Sequence, residues 1–136
     1  MDFMKPLMVA ASGLKAQTDR MRVISENIAN AESTSTQPGG DPYRRQVATF
    51  KSILDKDMGA TVVKTGRVLK DDTEFRVAFE PGHPAADENG YVKRPNVNSL
   101  VESVDLREAQ RSYEANLNVI TATRRMLTRT LDILRA

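Results

Sequence analysis

Two apolar seams with a seven-residue spacing lie at opposite ends of this chain, and they constrain its fold more than any other feature. The N-terminal seam consists of Leu7, Leu14, Met21 and Ile28, and the C-terminal seam of Leu106, Tyr113, Ile120, Leu127 and Leu134. A sustained heptad period favours helices that lie side by side with a slight left-handed supercoil. We therefore predict that residues 1–32 and 100–136 form paired, coiled-coil-like helices, which build one core domain and also supply contacts between subunits.

The middle of the chain has a different pattern. The segment 33–43 contains Pro38-Gly39-Gly40-Asp41-Pro42, which forbids regular structure and predicts an extended arm. Residues 44–99 contain short runs in which apolar and polar side chains alternate, namely Gln46–Phe50, Thr61–Lys64 and Glu74–Phe79. Asp87-Glu88-Asn89-Gly90 predicts a turn into a further strand at Tyr91. The predicted fold class is mostly α with a β insertion, in which the terminal helices flank a small antiparallel β region.

Asparagine residues mark the predicted helix boundaries. Asn98 or Ser99 follows a break in the pattern and is expected to cap the second helix. Asn27 and Asn30 lie at the end of the first helix, and a buried amide needs a partner, so we expect at least one of them to bond to a neighbour. The second helix, from about residue 100 to 134, would be about 50 Å long. A domain of this size cannot cover such a rod alone, so partner subunits are expected.

Composition argues against catalysis and against nucleic-acid binding. The 20 basic and 18 acidic residues leave a net charge of +2, and no stretch of the sequence carries the basic excess that DNA or RNA binding requires. The absence of Cys excludes a disulfide framework and a thiolate nucleophile. The single histidine, His83, lies in a turn without partners for a catalytic triad. We therefore predict no catalytic, cofactor-binding or metal-binding residues.

The first apolar run of the chain is short. Pro6–Ala11 is shorter than the roughly 7–15 apolar residues of a signal-peptide core and far from the roughly 20 residues of a membrane span. We expect no direct membrane span. If the protein leaves the cytoplasm, we expect a route that cleaves no signal peptide.

Two sets of residues resemble the terminal signatures of bacterial flagellar axial proteins. The N-terminal set comprises Gly13-Leu14, Asn27–Ala31, Thr36, and Pro42-Tyr43-Arg44-Arg45 leading to Phe50. The C-terminal set comprises Gly90–Asn98, with Asn96 and Asn98, then Glu102, Val104-Asp105 and Arg111–Asn116, with Glu114 and Asn116. The combination is most similar to proximal members of the flagellar basal-body rod protein family, and the resemblance covers nearly the whole chain.

This resemblance implies a structural subunit without enzymatic activity or cofactor. Such subunits polymerise through their terminal helices into the drive shaft that transmits torque and forms the wall of the export channel. The implied partners are other copies of the chain, other rod proteins, the inner-membrane ring, the rod-adaptor components and the flagellar export apparatus. The implied location is the rod in the periplasmic space, reached by type III export without a cleaved signal peptide.

The joint between the arm and the β insertion suggests a specific contact. Tyr43 could cover apolar surface of an adjoining subunit while Arg44 or Arg45 pairs with a carboxylate there, because the planar guanidinium suits bidentate pairing. The alternative is a flexible linker with a charged end.

Three other functions fit the sequence less well. A needle-type or adaptor-type helical protein of a related export machine would keep the helices but lack the β insertion. A small coiled-coil protein that binds nucleic acid would need more positive charge. An enzyme is the weakest alternative, because no titratable pair is placed for acid–base chemistry.

We also predict that the terminal helices are largely unfolded in the isolated monomer, since their apolar seams need a partner.

Overall fold

A computed structural model, which describes residues 2–136, contains two long helices with six short strands between them. Helix α1 spans Met4–Ala29 and helix α2 spans Ser99–Arg135. The strands are β1 (Gln46–Val47), β2 (Phe50–Asp55), β3 (Ala60–Thr65), β4 (Leu69–Lys70), β5 (Arg76–Phe79) and β6 (Tyr91–Arg94). The predicted fold class, mostly α with a β insertion between terminal helices, is confirmed.

Short polar side chains determine where the helices begin. The Asp2 carboxylate accepts a hydrogen bond from the Met4 amide at 3.0 Å, which satisfies one of the amides left without a partner in the first turn of α1. Asn98 Oδ1 accepts hydrogen bonds from the amides of Leu100 and Val101 at 3.1 and 3.4 Å. Of the two predicted candidates, Asn98 is therefore the N-cap of α2.

The strands form three separate antiparallel pairs, β1 with β4, β2 with β3, and β5 with β6. Gly59 and Gly90 have φ angles of +61° and +83° in the turns that precede β3 and β6, a conformation that costs glycine little. The predicted turn at Asp87–Gly90 is present, since the Asp87 carboxylate accepts hydrogen bonds from the amides of Asn89 and Tyr91, each at 2.9 Å.

The predicted run Gln46–Phe50 is not one strand. Strand β1 ends at Val47 and β2 begins at Phe50. Between them, the Thr49 carbonyl accepts the Gly66 amide at 2.7 Å, and the Thr49 hydroxyl donates to the Arg67 carbonyl at 2.6 Å. The Gly66–Thr49 bond continues the β2–β3 pairing, whereas Gln46 and Val47 pair with β4, so the predicted run is divided between two strand pairs.

The chain divides into two compact units, each assembled from separated stretches of sequence. The first unit comprises the chain up to Met21, Thr49–Arg67 and Arg107–Ala136. In it, α1 and α2 are antiparallel, with Arg20 3.5 Å from Glu108 and Gly13 opposite Asn116. The β2–β3 hairpin contacts α1 through the Val63 amide, which donates to the Ser12 hydroxyl at 3.2 Å.

The second unit comprises Arg22–Ala48 and Val68–Leu106. It contains the end of α1, the beginning of α2, and the pairs β1–β4 and β5–β6. Its core is formed by small and β-branched side chains, which are Val23, Ile24, Ala31, Ala85, Val92 and Val97.

Candidate functional site

The centre of the second unit is a buried amide, Asn27, whose side chain is 1% exposed. Its Nδ2 donates to the Gln46 carbonyl at 2.8 Å and to Glu102 Oε2 at 3.1 Å. Its Oδ1 accepts from the Gln46 amide at 2.9 Å and from the Tyr43 hydroxyl at 2.8 Å. All four hydrogen-bonding positions of the amide are therefore filled, as a buried polar side chain requires.

Glu102 is the charged member of this cluster and is also 1% exposed. The guanidinium of Arg45 donates through Nε to Glu102 Oε1, through a second nitrogen to Asp71 Oδ2 at 3.2 Å, and lies 3.8 Å from Asp105 Oδ2. A buried carboxylate is tolerated only when it is paired and hydrogen-bonded. The Arg45 guanidinium and the Asn27 amide meet this requirement together.

The local pKa values follow from these contacts. Burial by itself lowers the pKa of Arg45, but the hydrogen bond and charge of Glu102, supported by Asp71, outweigh it and keep the pKa above its usual value. Hydrogen bonds from Thr73, followed by the contact with Arg45, hold the pKa of the Asp71 carboxyl below its usual value. Burial, with the nearby charges of Glu26 and Glu102, raises the pKa of Tyr43. Arg45 and Asp71 are therefore charged at neutral pH, and Tyr43 is neutral.

Asn96 joins the residues just after the arm to the loop between β4 and β5, beside this cluster. Its Oδ1 accepts from the Arg45 amide at 2.7 Å, and its Nδ2 donates to the Asp71 carbonyl at 3.0 Å and the Thr73 hydroxyl at 2.9 Å. The guanidinium of Arg44 donates to the carbonyl of Asp71 at 2.9 Å and to the carbonyl of Thr73 at 3.1 Å. It also lies 4.2 Å from the centre of the Phe75 ring, within cation–π range.

Tyr43, Arg44 and Arg45, which the sequence suggested as an inter-subunit clasp, all have partners within their own chain, and the clasp itself stays a prediction. Tyr43 donates to Asn27, Arg45 pairs with three carboxylates of its own chain, and Arg44 binds two carbonyls of its own chain. The physical reason is that the buried carboxylate of Glu102 needs a cation beside it, and the guanidinium of Arg45 fills this need. These side chains, with the half-buried Pro42, hold the joint together within one molecule.

The other asparagines of the predicted joint act locally. Asn30 Nδ2 donates to the Glu26 carbonyl at 2.8 Å and so terminates α1, while Asn98 caps α2. Asn116 donates to the Ser112 carbonyl at 3.1 Å, and its side chain lies against Gly13. Glu114 is exposed.

The predicted seam residues are placed unevenly. Most of them are half-buried, whereas Leu127 and Leu134 are 37% and 76% exposed. The most buried line of α2 is a neighbouring heptad line of small and polar residues, which are Glu102, Ala109, Asn116 and Thr123. The spacing of large apolar side chains does not reveal this line. The seven-residue spacing of its small and polar residues, one of which lies against Gly13, is the signal that could have revealed it.

The described residues contain neither a metal centre nor a membrane span. Within residues 2–136 no group of three or more His, Cys, Asp or Glu residues is placed to hold a metal ion. In that same part of the chain neither helix combines the length and apolar character needed to cross a membrane.

Comparison with protein families matches both ends of the chain. Residues 7–35 match a family model described as flagella basal body rod protein. Residues 88–133 match one described as flagellar basal body rod FlgEFG protein C-terminal. The two matches contain Asn27, Asn96 and Glu102, whereas Tyr43, Arg45 and Asp71 lie between them.

Curated relatives match almost the full length of the chain. A flagellar basal-body rod protein FlgC of Agrobacterium fabrum is 52% identical, with 94% of this chain and 92% of the relative covered. The FlgC of Bacillus subtilis is 40% identical, with 93% and 95% covered. The FlgC of Aquifex aeolicus is 36% identical, with 97% of each chain covered.

Proposed function

Since the chain belongs to the FlgC family of flagellar basal-body rod proteins, we propose that it polymerises through its terminal helices to build the proximal rod. It is a structural subunit of the bacterial flagellar basal body. The polymer forms the drive shaft that transmits torque and encloses the export channel.

The exposed apolar face of α2 is the observation that carries this proposal. Along the second half of α2, large apolar side chains that are 37–76% exposed follow one another, namely Leu117, Val119, Met126, Leu127, Leu131, Ile133 and Leu134. Extended apolar surface of this kind marks protein–protein contacts. Burial of a large apolar side chain stabilises an interface by about 1.5–3 kcal/mol, so a face of this size supports a stable polymer.

Substitution on the C-terminal seam of α2 tests the proposal. Ile120→Asp or Leu127→Asp should abolish motility and basal-body formation while the protein is still made and exported, because a carboxylate buried in the interface without a partner costs several kcal/mol. Thr130→Asp, at an exposed polar position of the same helix, is the matched control and should leave motility intact. Normal basal bodies in both seam variants would contradict polymerisation through α2.

The polar cluster supports the mechanical role. Asn27, Arg45 and Glu102 join the end of α1, the segment just after the arm and the start of α2 through hydrogen bonds of their side chains. A fixed joint of this kind lets a helical core and a β region turn together.

The proposed further partners are other rod proteins, the inner-membrane ring, the rod-adaptor components and the export apparatus.

The proposed location is the rod in the periplasmic space, reached by type III export without cleavage. Ala10, in the first apolar run, is buried within α1, so removal of this run would strip packed residues from the first unit. The mass of the protein in purified basal bodies should therefore match the uncleaved chain. A mass that lacks the segment up to about residue 11 would contradict export without cleavage.

A further inference from the structure

The two compact units carry opposite net charges. The first unit contains 13 Lys and Arg residues against seven Asp and Glu, a net charge of +6. The second contains seven Lys and Arg residues against eleven Asp and Glu, a net charge of −4. Each unit draws on separated stretches of sequence, so this division becomes visible only after folding.

On the first unit the positive charge includes a cluster on α2. Arg124, Arg125 and Arg129 line a surface groove of about 400 Å³ together with Thr121 and Thr128. None of the three arginines forms an ion pair with any of residues 2–136. Met126 and Leu131 are exposed on the same turns. These arginines and apolar residues together are called the basic surface.

On the second unit an acidic groove of about 410 Å³ lies beside β5. Its carboxylates Asp72 and Glu74 form no ion pair within residues 2–136. The cations in the groove are already engaged, because Lys93 pairs with Asp41 at 3.0 Å and Arg44 binds backbone carbonyls. Apolar area is supplied by Phe75 and Val77, the latter 61% exposed. These four residues, Asp72, Glu74, Phe75 and Val77, are called the acidic surface.

We propose that the basic surface of one copy docks on the acidic surface of a second copy of this chain in the rod. This inference rests on the proposed function and names the surfaces through which copies meet. Opposite charges steer the encounter and fix the register, while the apolar residues supply buried area. Because the two surfaces differ, the contact is heterologous and leaves one of each kind free, so it extends into a helical array instead of closing a dimer.

Cross-linking in cells tests the contact directly, and the absence of native Cys gives a clean background. Two copies are co-expressed, one carrying Thr128→Cys and the other, with an affinity tag, carrying Glu74→Cys. Mild oxidation of purified basal bodies should give a disulfide-linked pair that contains both copies. Lys56→Cys in place of Glu74→Cys is the matched control, since Lys56 is exposed in the turn of the β2–β3 hairpin. A yield with Glu74→Cys no greater than with the control overturns the proposal.

Charge reversal tests the electrostatic part. Arg125→Glu with Arg129→Glu on the Thr128→Cys copy, or Asp72→Lys on the Glu74→Cys copy, should each reduce the cross-linked product at least about tenfold, because like charges would then face each other. All three charge changes together should restore it. Circular dichroism of each purified variant checks that the fold is retained. If reversal on one surface lowers the yield of cross-linked product and the combined variant does not restore it, the proposed pairing of the two surfaces is wrong.

The result also separates this inference from the proposed function. If the charge-reversed variants form rods and cross-link as well as the parent, these surfaces are not the contact, while polymerisation through α2 still stands. If the charge-reversed variants weaken attachment to another rod protein but leave the contact between copies of this chain intact, the assignment of the second copy as the partner is wrong. If deletion of the gene leaves basal bodies complete, the proposed function itself fails.

Discussion

Asn27 shows how much a single side chain contributes to this fold, because it joins three segments that are distant in sequence. It bonds both backbone groups of Gln46, the hydroxyl of Tyr43 and the carboxylate of Glu102. An aspartate would repel Glu102, and a leucine would leave the Gln46 groups without partners. Only an amide supplies two donors and two acceptor lone pairs in this geometry.

Asn27→Ala should therefore be costly. We expect the free energy of unfolding to fall by about 2–4 kcal/mol, since each buried polar group left without a partner costs roughly 1–3 kcal/mol. Urea unfolding followed by circular dichroism measures the change. Asn118→Ala, at an exposed position of α2, is the control and should alter stability by less than about 0.5 kcal/mol. Equal effects of the two substitutions would contradict the role assigned to Asn27.

Asp71 should make stability depend on pH in the acid range. The pKa of its carboxyl is lower in the folded chain than its usual value, chiefly through hydrogen bonds from Thr73 and also through Arg45. Such a group stabilises the fold above its unfolded pKa of about 4, and the stabilisation is lost as the pH falls through the folded pKa. The urea midpoint should therefore decrease below about pH 4.

The variant Asp71→Asn isolates this effect. It should be less stable than the parent at pH 7 and should show a shallower decrease below about pH 4, whereas Asp72→Asn, which removes an exposed carboxylate, should follow the parent. Parallel curves for the parent and Asp71→Asn would show that another carboxylate is responsible.

At the scale of elements, the close approach of α1 and α2 in the first unit depends on a glycine. A Cβ added at Gly13 would lie 2.8 Å from Asn116 Nδ2 and 3.0 Å from its Cγ, so the helices pack at a distance that only a missing side chain permits. Gly is otherwise unfavourable in a helix by about 1 kcal/mol relative to Ala. Helix propensity and packing therefore act in opposite directions at this position.

The sign of the Gly13→Ala effect should depend on its neighbour. In the parent chain we expect a loss of stability, because the methyl group displaces the Asn116 side chain. In an Asn116→Ala background the same change should stabilise by up to about 1 kcal/mol, because helix propensity alone remains. A double-mutant cycle by urea unfolding measures both values. Stabilisation of equal size in the two backgrounds would show that the helices do not meet here.

At the scale of the whole molecule, order should be gained on assembly. The sequence predicts that the terminal helices fold only with partners. In the structure, residues 124–136 at the end of α2 are all exposed, so we expect this segment to depend most on partners. Segments with few buried contacts open readily. Amides in this region should therefore exchange rapidly in the isolated monomer and slowly in assembled rods.

The beginning of α2 is the internal control for this measurement. Glu102 and Ala109 are buried there, so amide exchange around them should be slow in both states. Equal protection along the whole of α2 in the monomer would contradict folding of its end on assembly.

The elements of this fold follow from short-range signals in the sequence. Heptad spacing placed both helices to within about three residues of their ends, Asn98 marked the start of α2, and the Asp87–Gly90 pattern marked the turn before β6. These features are predictable because periodicity, capping and turn conformation depend on residues a few positions apart. The break at Thr49 was not predictable, because its partners, Gly66 and Arg67, come from the far side of a hairpin.

What only the tertiary structure decided is which distant residues meet. The sequence singled out Asn27, Tyr43, Arg45 and Glu102 by their resemblance to a family, but it did not show that Glu102 is buried in contact with Asn27 and Arg45. The separation of charge into a basic and an acidic unit is equally invisible along the chain. Both arise because folding brings together segments that lie dozens of positions apart, and no local pattern encodes which of them will touch.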